Sequence, residues 1–327
     1  AMRRLVVTST GIFGIGLLYI LIGAATEAAS LINGAGATFP FPLYSKWFSE
    51  YQKVVPDVQI NYQSIGSGGG IRQFTENTID FGATDAPMTP QQLAKSSLPV
   101  IHIPTVIGAA VLTYNLPGVP QGLKLNAELI ADLFLGKIQK WNDPRIKALN
   151  PSASLPDESV IIVRLSDGSG TTAIFTDYLS KVSPEWKRVV GMGTAVNWPV
   201  GLGGKGNEGV SGLVKQTPGA IGYVELIYAE NNKLSYVAIQ NQSGRFILPD
   251  LKSVTAAAHG AIQSMPEDFR VSITASHNPD AYPISAFTYV IIHQTMPREK
   301  GEKLVKFLQW AITGGQKYAE KLHYSPL

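Results

Sequence analysis

Three short loops of glycine and hydroxyl residues constrain this chain more than any other feature. They are Gly34-Ala35-Gly36-Ala37-Thr38-Phe39-Pro40, Gly66-Ser67-Gly68-Gly69-Gly70 and Asp167-Gly168-Ser169-Gly170-Thr171-Thr172. A stretch with helical apolar spacing follows each of them. Glycine lets backbone come close to a ligand. A helix start offers unpaired N–H groups and a positive dipole end, and Ser and Thr add O–H donors. One such loop is a common turn. Three in one chain point to a small oxyanion held by many neutral donors.

Between the loops the pattern alternates strand and helix. Leu43, Tyr44, Trp47, Phe48 and Tyr51 share one helical face and predict a core helix, while Val58, Ile60 and Tyr62 alternate as in a strand. Ile79 to Gly82 predicts a strand that ends at Asp85, and the β-branched run from Val106 to Tyr114 predicts a buried one. Val160 to Val163 predicts another buried strand, directly before the third loop, and Thr288 to His293 one more. A final helical stripe, Leu304 to Ile312, is expected to stop at Gly314-Gly315. This alternation predicts an α/β architecture with largely parallel strands, whose ligand sits at the strands' C-terminal ends, where the loops lie.

Composition excludes several classes. The apolar fraction of 45% and charged fraction of 16% in 327 residues describe an ordered chain with ample core. A net charge of +3 without any Lys/Arg run gives no footprint for nucleic acid. The five His residues lie far apart and none has metal-ligand spacing, so no metal or other cofactor is expected. There is no Cys, hence no disulfide framework and no lipid-attachment Cys. At the N-terminus, Arg3 and Arg4 precede an apolar stretch from Leu5 to Ala25 and then Thr26-Glu27-Ala28-Ala29. This reads as a cleavable export signal. The alternative is an uncleaved anchor, since the stretch is about long enough to span a bilayer, but its Gly, Ser and Thr residues argue against that.

Longer motifs add a family resemblance. After the first two loops come Asp80-Phe81-Gly82-Ala83-Thr84-Asp85-Ala86-Pro87, the third loop, Trp198 to Gly209, and Pro218-Gly219-Ala220-Ile221-Gly222-Tyr223-Val224-Glu225. In that order, from Leu31 to Pro326, the chain resembles the periplasmic phosphate-binding receptors of bacterial high-affinity phosphate ABC transporters. The resemblance implies a type II periplasmic-binding-protein fold: two lobes, each a mixed sheet flanked by helices, joined by two hinge crossings. With crossings near Tyr114 and Pro283, the chain divides into a signal peptide (1–29), a first lobe (30–113 plus 284–327) and a second lobe (114–283). It further implies an exported, non-enzymatic monomer, periplasmic or extracellular. This receptor takes inorganic phosphate between its lobes and passes it to membrane permease subunits. The phosphate contacts implied are Thr38, the N–H of Phe39, Ser67, Asp85, Ser169, the N–H of Gly170, and Thr171, with Asp85 accepting the proton that phosphate carries. Against sulfate, which carries none, that carboxylate is an unpaired repulsive charge.

One position departs from the family. Relatives carry Arg four residues before the loop Ser, where this chain has Leu165. Strand alternation points the neighbouring Arg164 to the opposite face, unless a bulge turns it inward. A receptor for another tetrahedral oxyanion, or an extracellular adhesion or assembly protein on the same fold, is the competing expectation. A hydrolase is disfavoured: Asp167 and Thr171 occupy the glycine positions of a G-x-S-x-G elbow around Ser169, and no His is assigned as its base. Asp167 is expected to shape its loop, Gly203 to Gly209 to be structural, and Arg72 to be a solvated or structural side chain.

Overall fold

The computed structural model describes residues 29–327; the expected signal segment lies outside them but for residue 29. The first run of elements is β1 (Ser30–Gly36), α1 (Phe41–Val54), β2 (Val58–Ser64), α2 (Ser67–Thr75), β3 (Phe81–Thr84), α3 (Pro90–Leu93) and β4 (Val100–Tyr114). The middle begins with β5 (Lys124–Leu125), α4 (Ala127–Phe134), α5 (Pro144–Leu149), β6 (Ile161–Leu165), α6 (Gly170–Val182) and α7 (Pro184–Val189). It continues with β7 (Leu202–Gly204), α8 (Gly206–Gln216), β8 (Ala220–Glu225), α9 (Leu226–Asn231), β9 (Ser235–Tyr236), β10 (Ala238–Gln240), β11 (Phe246–Ile247) and α10 (Leu251–Ile262). The chain closes with β12 (Ser285–His293), α11 (Arg298–Ala311) and two short 3₁₀ turns. Among the described residues no helix is long and apolar enough to cross a membrane.

The principal sheet runs β2-β1-β3-β12-β4-β8-β6-β7, with β9 also pairing β4. Strand β4 belongs to both halves. Its residues from Val100 to Ala109 pair with β12, and Ala110 to Tyr114 pair with β8. The sequence places this crossing near Tyr114, the end of the apolar run. Within β4 the change of partner falls between Ala109 and Ala110, one unbroken strand serving both sheets. The return crossing lies alongside: Ala110 N–H donates to the Ile284 carbonyl (2.9 Å) and Tyr282 Oη donates to the Ala110 carbonyl (2.8 Å).

The expectation of largely parallel strands is corrected. β1–β2, β1–β3, β6–β7 and β6–β8 are parallel, but β12 runs antiparallel to β3 and β4, and β4 antiparallel to β8. The reason is topological, since a strand that leaves one half and another that returns run in opposite senses beside each other. Two boundaries also shift: β3 starts at Phe81 rather than Ile79, and Gly314 opens a 3₁₀ turn to Tyr318 instead of ending helical structure. Trp47 holds that turn by donating its indole N–H to the Gly315 carbonyl (2.7 Å).

The core forms as the periodicity predicts. Leu43, Tyr44, Trp47 and Tyr51 of α1 are buried, with Phe48 half-buried against them. All nine residues of β12 are buried, as are all six of β8, which is the signature of strands covered on both faces. The parallel strands β1, β3 and β6 bring their C-terminal ends, and the loops that follow, to one region. Gly36, at the end of β1, has φ +144°, and a Cβ there would lie 2.0 Å from the Ala83 carbonyl oxygen of β3. Gly36→Ala is therefore expected to destabilise the protein by about 3 kcal/mol through strain and a backbone clash. Urea unfolding with an unchanged slope is the measurement.

Candidate functional site

The residues singled out in sequence converge where the two halves meet. Thr38 and Phe39 follow β1, Ser67 begins α2, Asp85 follows β3, and Ser169, Gly170 and Thr171 form the start of α6. All six side-chain-bearing members are buried: Thr38 and Asp85 are 4% exposed, Ser169 2%, and Phe39, Ser67 and Thr171 fully enclosed. The halves are in direct contact. Gly68 N–H donates to the Gly168 carbonyl (2.8 Å), and a Cβ on Gly170 would sit 2.3 Å from both Asp85 Oδ2 and Ser67 Oγ. Only glycine permits that approach. A cavity of about 100 Å³ reaches Asp85 beside Ala173, Ile174 and Phe287. Of the other predicted site residues, none lines it.

Donors dominate this region. Ser169 caps α6, its Oγ accepting from Thr172 N–H (3.2 Å), which leaves its own O–H to donate elsewhere. Gly170 and Thr171 occupy the first turn of α6, where N–H groups have no carbonyl a turn earlier. The loop after β1 is held by its carbonyls. Thr38 O accepts from Tyr228 Oη and Phe39 O from Tyr324 Oη, both at 2.6 Å. Those bonds fix where the Thr38 hydroxyl and the Phe39 N–H stand.

Asp85 is the single carboxylate among these groups. Thr288 Oγ1 donates to its Oδ1 (2.9 Å), Ser67 Oγ donates to its Oδ2 (3.4 Å), and its own N–H donates to Ser67 Oγ (3.2 Å). Thr288 lies at a β-bulge: the register of β12 on β4 shifts between Thr288 and Tyr289, leaving Thr105 as the extra residue. Bulges redirect side chains, and here Thr105 Oγ1 donates to the Thr288 carbonyl (3.2 Å). Burial pushes the Asp85 carboxyl from 3.8 up to about 7; the Thr288 and Ser67 hydroxyls oppose this and the neighbouring Asp167 charge adds to it.

Among the described residues no Lys or Arg side chain hydrogen-bonds to Thr38, Ser67, Asp85, Ser169 or Thr171, so no such bond offsets that burial. Leu165 is 2% exposed and packed in the core, and β6 pairs with β7 and β8 without a bulge. Arg164 stays on the opposite face, its guanidinium 3.5 Å from where a Cβ on Gly203 would stand and donating to the Leu165 carbonyl at 3.4 Å. Asp167 Oδ1 accepts from Gly206 N–H (2.8 Å), which is the loop-shaping role expected of it, but its Oδ2 is buried without a partner. Arg72 is exposed, in keeping with a solvated role.

The sequence matches the PBP superfamily domain over residues 23–314. A phosphate-binding protein PstS of Pasteurella multocida is 46% identical over 315 residues, covering 95% of this chain and 91% of that one. One from Xylella fastidiosa is 48% identical over 298 residues, covering 90% and 81%. This chain belongs to the PstS family of the PBP superfamily. The family is one of binding proteins and not of enzymes. At the level of fold, a high-affinity periplasmic phosphate-binding protein solved with phosphate has a TM-score of 0.72 at 20% identity, covering 91% of each chain. A phosphate transporter substrate-binding protein of Clostridium perfringens with bound phosphate has 0.68 at 18% identity, covering 91% of this chain and all of that one.

Sequence reasoning misses two side chains of this cluster. Thr288 reads only as the start of a strand, because nothing local marks a bulge. Asn207 lies within the segment expected to be structural. Its glycines do pack tightly, a Cβ on Gly204 meeting the Gly209 backbone at 2.7 Å, but Asn207 itself is fully buried against Thr38 and Thr171. A polar residue at the second position of a helix that leaves the N-cap to Lys205 is the available signal.

Asp85 makes a measurable prediction for the empty protein. A carboxyl whose folded value is raised imposes no cost below its unfolded value, and a growing cost as pH climbs towards the folded one. Asp85→Asn should therefore be near neutral at pH 4 and stabilise increasingly up to pH 7, levelling beyond. At about 1.4 kcal/mol per pH unit the ceiling is about 4 kcal/mol. Thermal melts of phosphate-free protein across that range check it, and a pH-independent difference would refute the burial argument.

Proposed function

We propose that this chain is an exported receptor that encloses inorganic phosphate between two lobes and delivers it to the permease subunits of an ABC transporter. The observation that carries the reading is Asp85, one buried acceptor set among the hydroxyls of Ser67 and Thr288 and the donor start of α6. A dehydrated anion needs a donor for each lone pair, since an unpaired buried acceptor costs about 1–3 kcal/mol. A carboxylate in such a place is tolerable only to a ligand that brings a proton, as phosphate does and sulfate does not.

In this reading Thr38, the N–H of Phe39, Ser67, Asp85, Ser169, the N–H of Gly170 and Thr171 contact the anion. The lobes are 30–113 plus 284–327 and 114–283, and they open about the paired crossings at Ala110 and Ile284. The relatives' names support phosphate as the ligand. The basic and apolar character of Arg3, Arg4 and Leu5 to Ala25 supports export to the periplasm or cell surface.

Titration calorimetry of purified protein with phosphate, arsenate and sulfate tests this. One phosphate should bind per chain, with sulfate far weaker. Comparable binding of sulfate would make the protein a receptor for another oxyanion, and no binding of any would favour a role in adhesion or assembly. Asp85→Asn should narrow the phosphate-to-sulfate ratio, because Asn donates to an unprotonated oxygen and removes the repelling charge. An unchanged ratio would remove Asp85 from proton recognition.

Leu165→Arg supplies the missing cation. It should tighten phosphate at least about tenfold, from a charge-assisted bond of roughly 1.5–3 kcal/mol, with the unpartnered Asp167 Oδ2 as its anchor. Lower stability of the empty protein is expected alongside, since a well-packed Leu is lost. Paired titrations and melts separate the two effects.

A further inference from the structure

We propose that Asn207 sets the direction of the protons in the anion site, converting the hydroxyls of Thr38 and Thr171 into obligate donors to the ligand. The inference rests on the phosphate-receptor reading above and adds a positioning residue to it. Its chain of reasoning begins at a backbone group. Glu225 N–H lies 2.7 Å from the Asn207 side chain, and an N–H can only donate. The atom facing it must therefore be the amide oxygen, which removes the usual ambiguity of an amide's orientation. Glu225 is itself held at the start of α9, its Oε2 accepting from Ile227 N–H at 2.8 Å.

With Oδ1 committed, Nδ2 faces the two threonines. One of its hydrogens goes to Thr38 Oγ1 (2.6 Å) and the other to Thr171 Oγ1 (3.0 Å). Thr38 Oγ1 accepts a second bond, from Asn207 N–H at 3.2 Å, so both its lone pairs are taken. Its O–H can only point away from Asn207. The Thr171 hydroxyl likewise receives from Asn207 and has no acceptor for its own proton among the described residues. Two buried O–H groups are thus left unspent, a cost that an entering anion relieves.

The same amide reports closure. Thr38 stands in the lobe of residues 30–113, whereas Thr171 and Asn207 stand in that of 114–283, and the Thr38–Asn207 contact spans 169 positions. Thr38 therefore acquires its outward O–H only as the lobes meet. Thr171, whose partner Asn207 lies in its own lobe, is oriented before the lobes meet, so that donor needs no rearrangement on closure.

The test is a double-mutant cycle between Asn207→Asp and Thr171→Val, read by phosphate titration, with melting curves establishing that each variant folds. The carboxylate that Asn207→Asp introduces keeps the side chain's shape but accepts from both threonines, drawing their protons away from the anion. Thr171→Val alone should weaken phosphate about tenfold, and Asn207→Asp alone more than about a hundredfold. In the Asn207→Asp background, Thr171→Val should then cost less than about twofold, because that hydroxyl no longer serves the ligand. If it still costs as much as in the wild-type background, the two losses are independent and Asn207→Asp acts by charge alone, which overturns the inference and leaves the receptor reading intact. Failure of the wild-type protein to bind phosphate overturns both. Should Asn207→Asp not fold, NMR of the wild-type phosphate complex decides. Coupling across hydrogen bonds from the Thr38 and Thr171 hydroxyl protons to the phosphate phosphorus supports the assignment, and its absence from both refutes it.

Discussion

Strand β4 carries both halves of the molecule, and the site depends on that sharing. Because Val100 to Ala109 belong to one half-sheet and Ala110 to Tyr114 to the other, the halves meet through a continuous ladder instead of a loose linker. The return strand β12 begins beside the same point, where Ala110 bonds to Ile284. The two crossings are thus tied together by hydrogen bonds at one point. The loops after β1 and β3 can then face the start of α6 reproducibly. A donor shell assembled from two sides within hydrogen-bond distance needs that shared strand.

The site so formed is electrically spare. It sets hydroxyls and helix-start N–H groups around one carboxylate, with no Lys or Arg bonded to any of them among the described residues. Leu165 sits in the core, and Asp167 keeps a buried oxygen unpartnered. Asp85 bears the consequence. Burial raises its carboxyl to about 7, with Asp167 adding to the shift and only two hydroxyls resisting it. In the receptor reading proposed above, recognition comes from proton count and geometry, because no cation is bonded to these groups among the described residues. Asn207 and Thr288 matter for that reason. Neither needs to touch the ligand: Asn207 donates to two hydroxyl oxygens, and Thr288 donates to one oxygen of Asp85.

Much of this is legible in the order of residues alone. The glycine and hydroxyl loops announce their own chemistry, since glycine at a strand end and Ser or Thr at a helix start are local necessities. The apolar spacing of α1, and the β-branched runs of β4, β6 and β12, follow from side-chain periodicity alone. Sequence therefore determined that three donor loops would stand at strand ends before helices, that Asp85 would follow a strand, and that Arg164 would face away from Leu165. Tertiary structure alone decided the rest. The partner change inside β4, the antiparallel course of β12, the bulge that brings Thr288 to Asp85 across 203 positions, and the arrival of Asn207 at Thr38 all join distant segments. The physical reason is that a proton's direction in a buried hydroxyl is set by whichever donor the fold delivers to its oxygen, and no local pattern of residues encodes that.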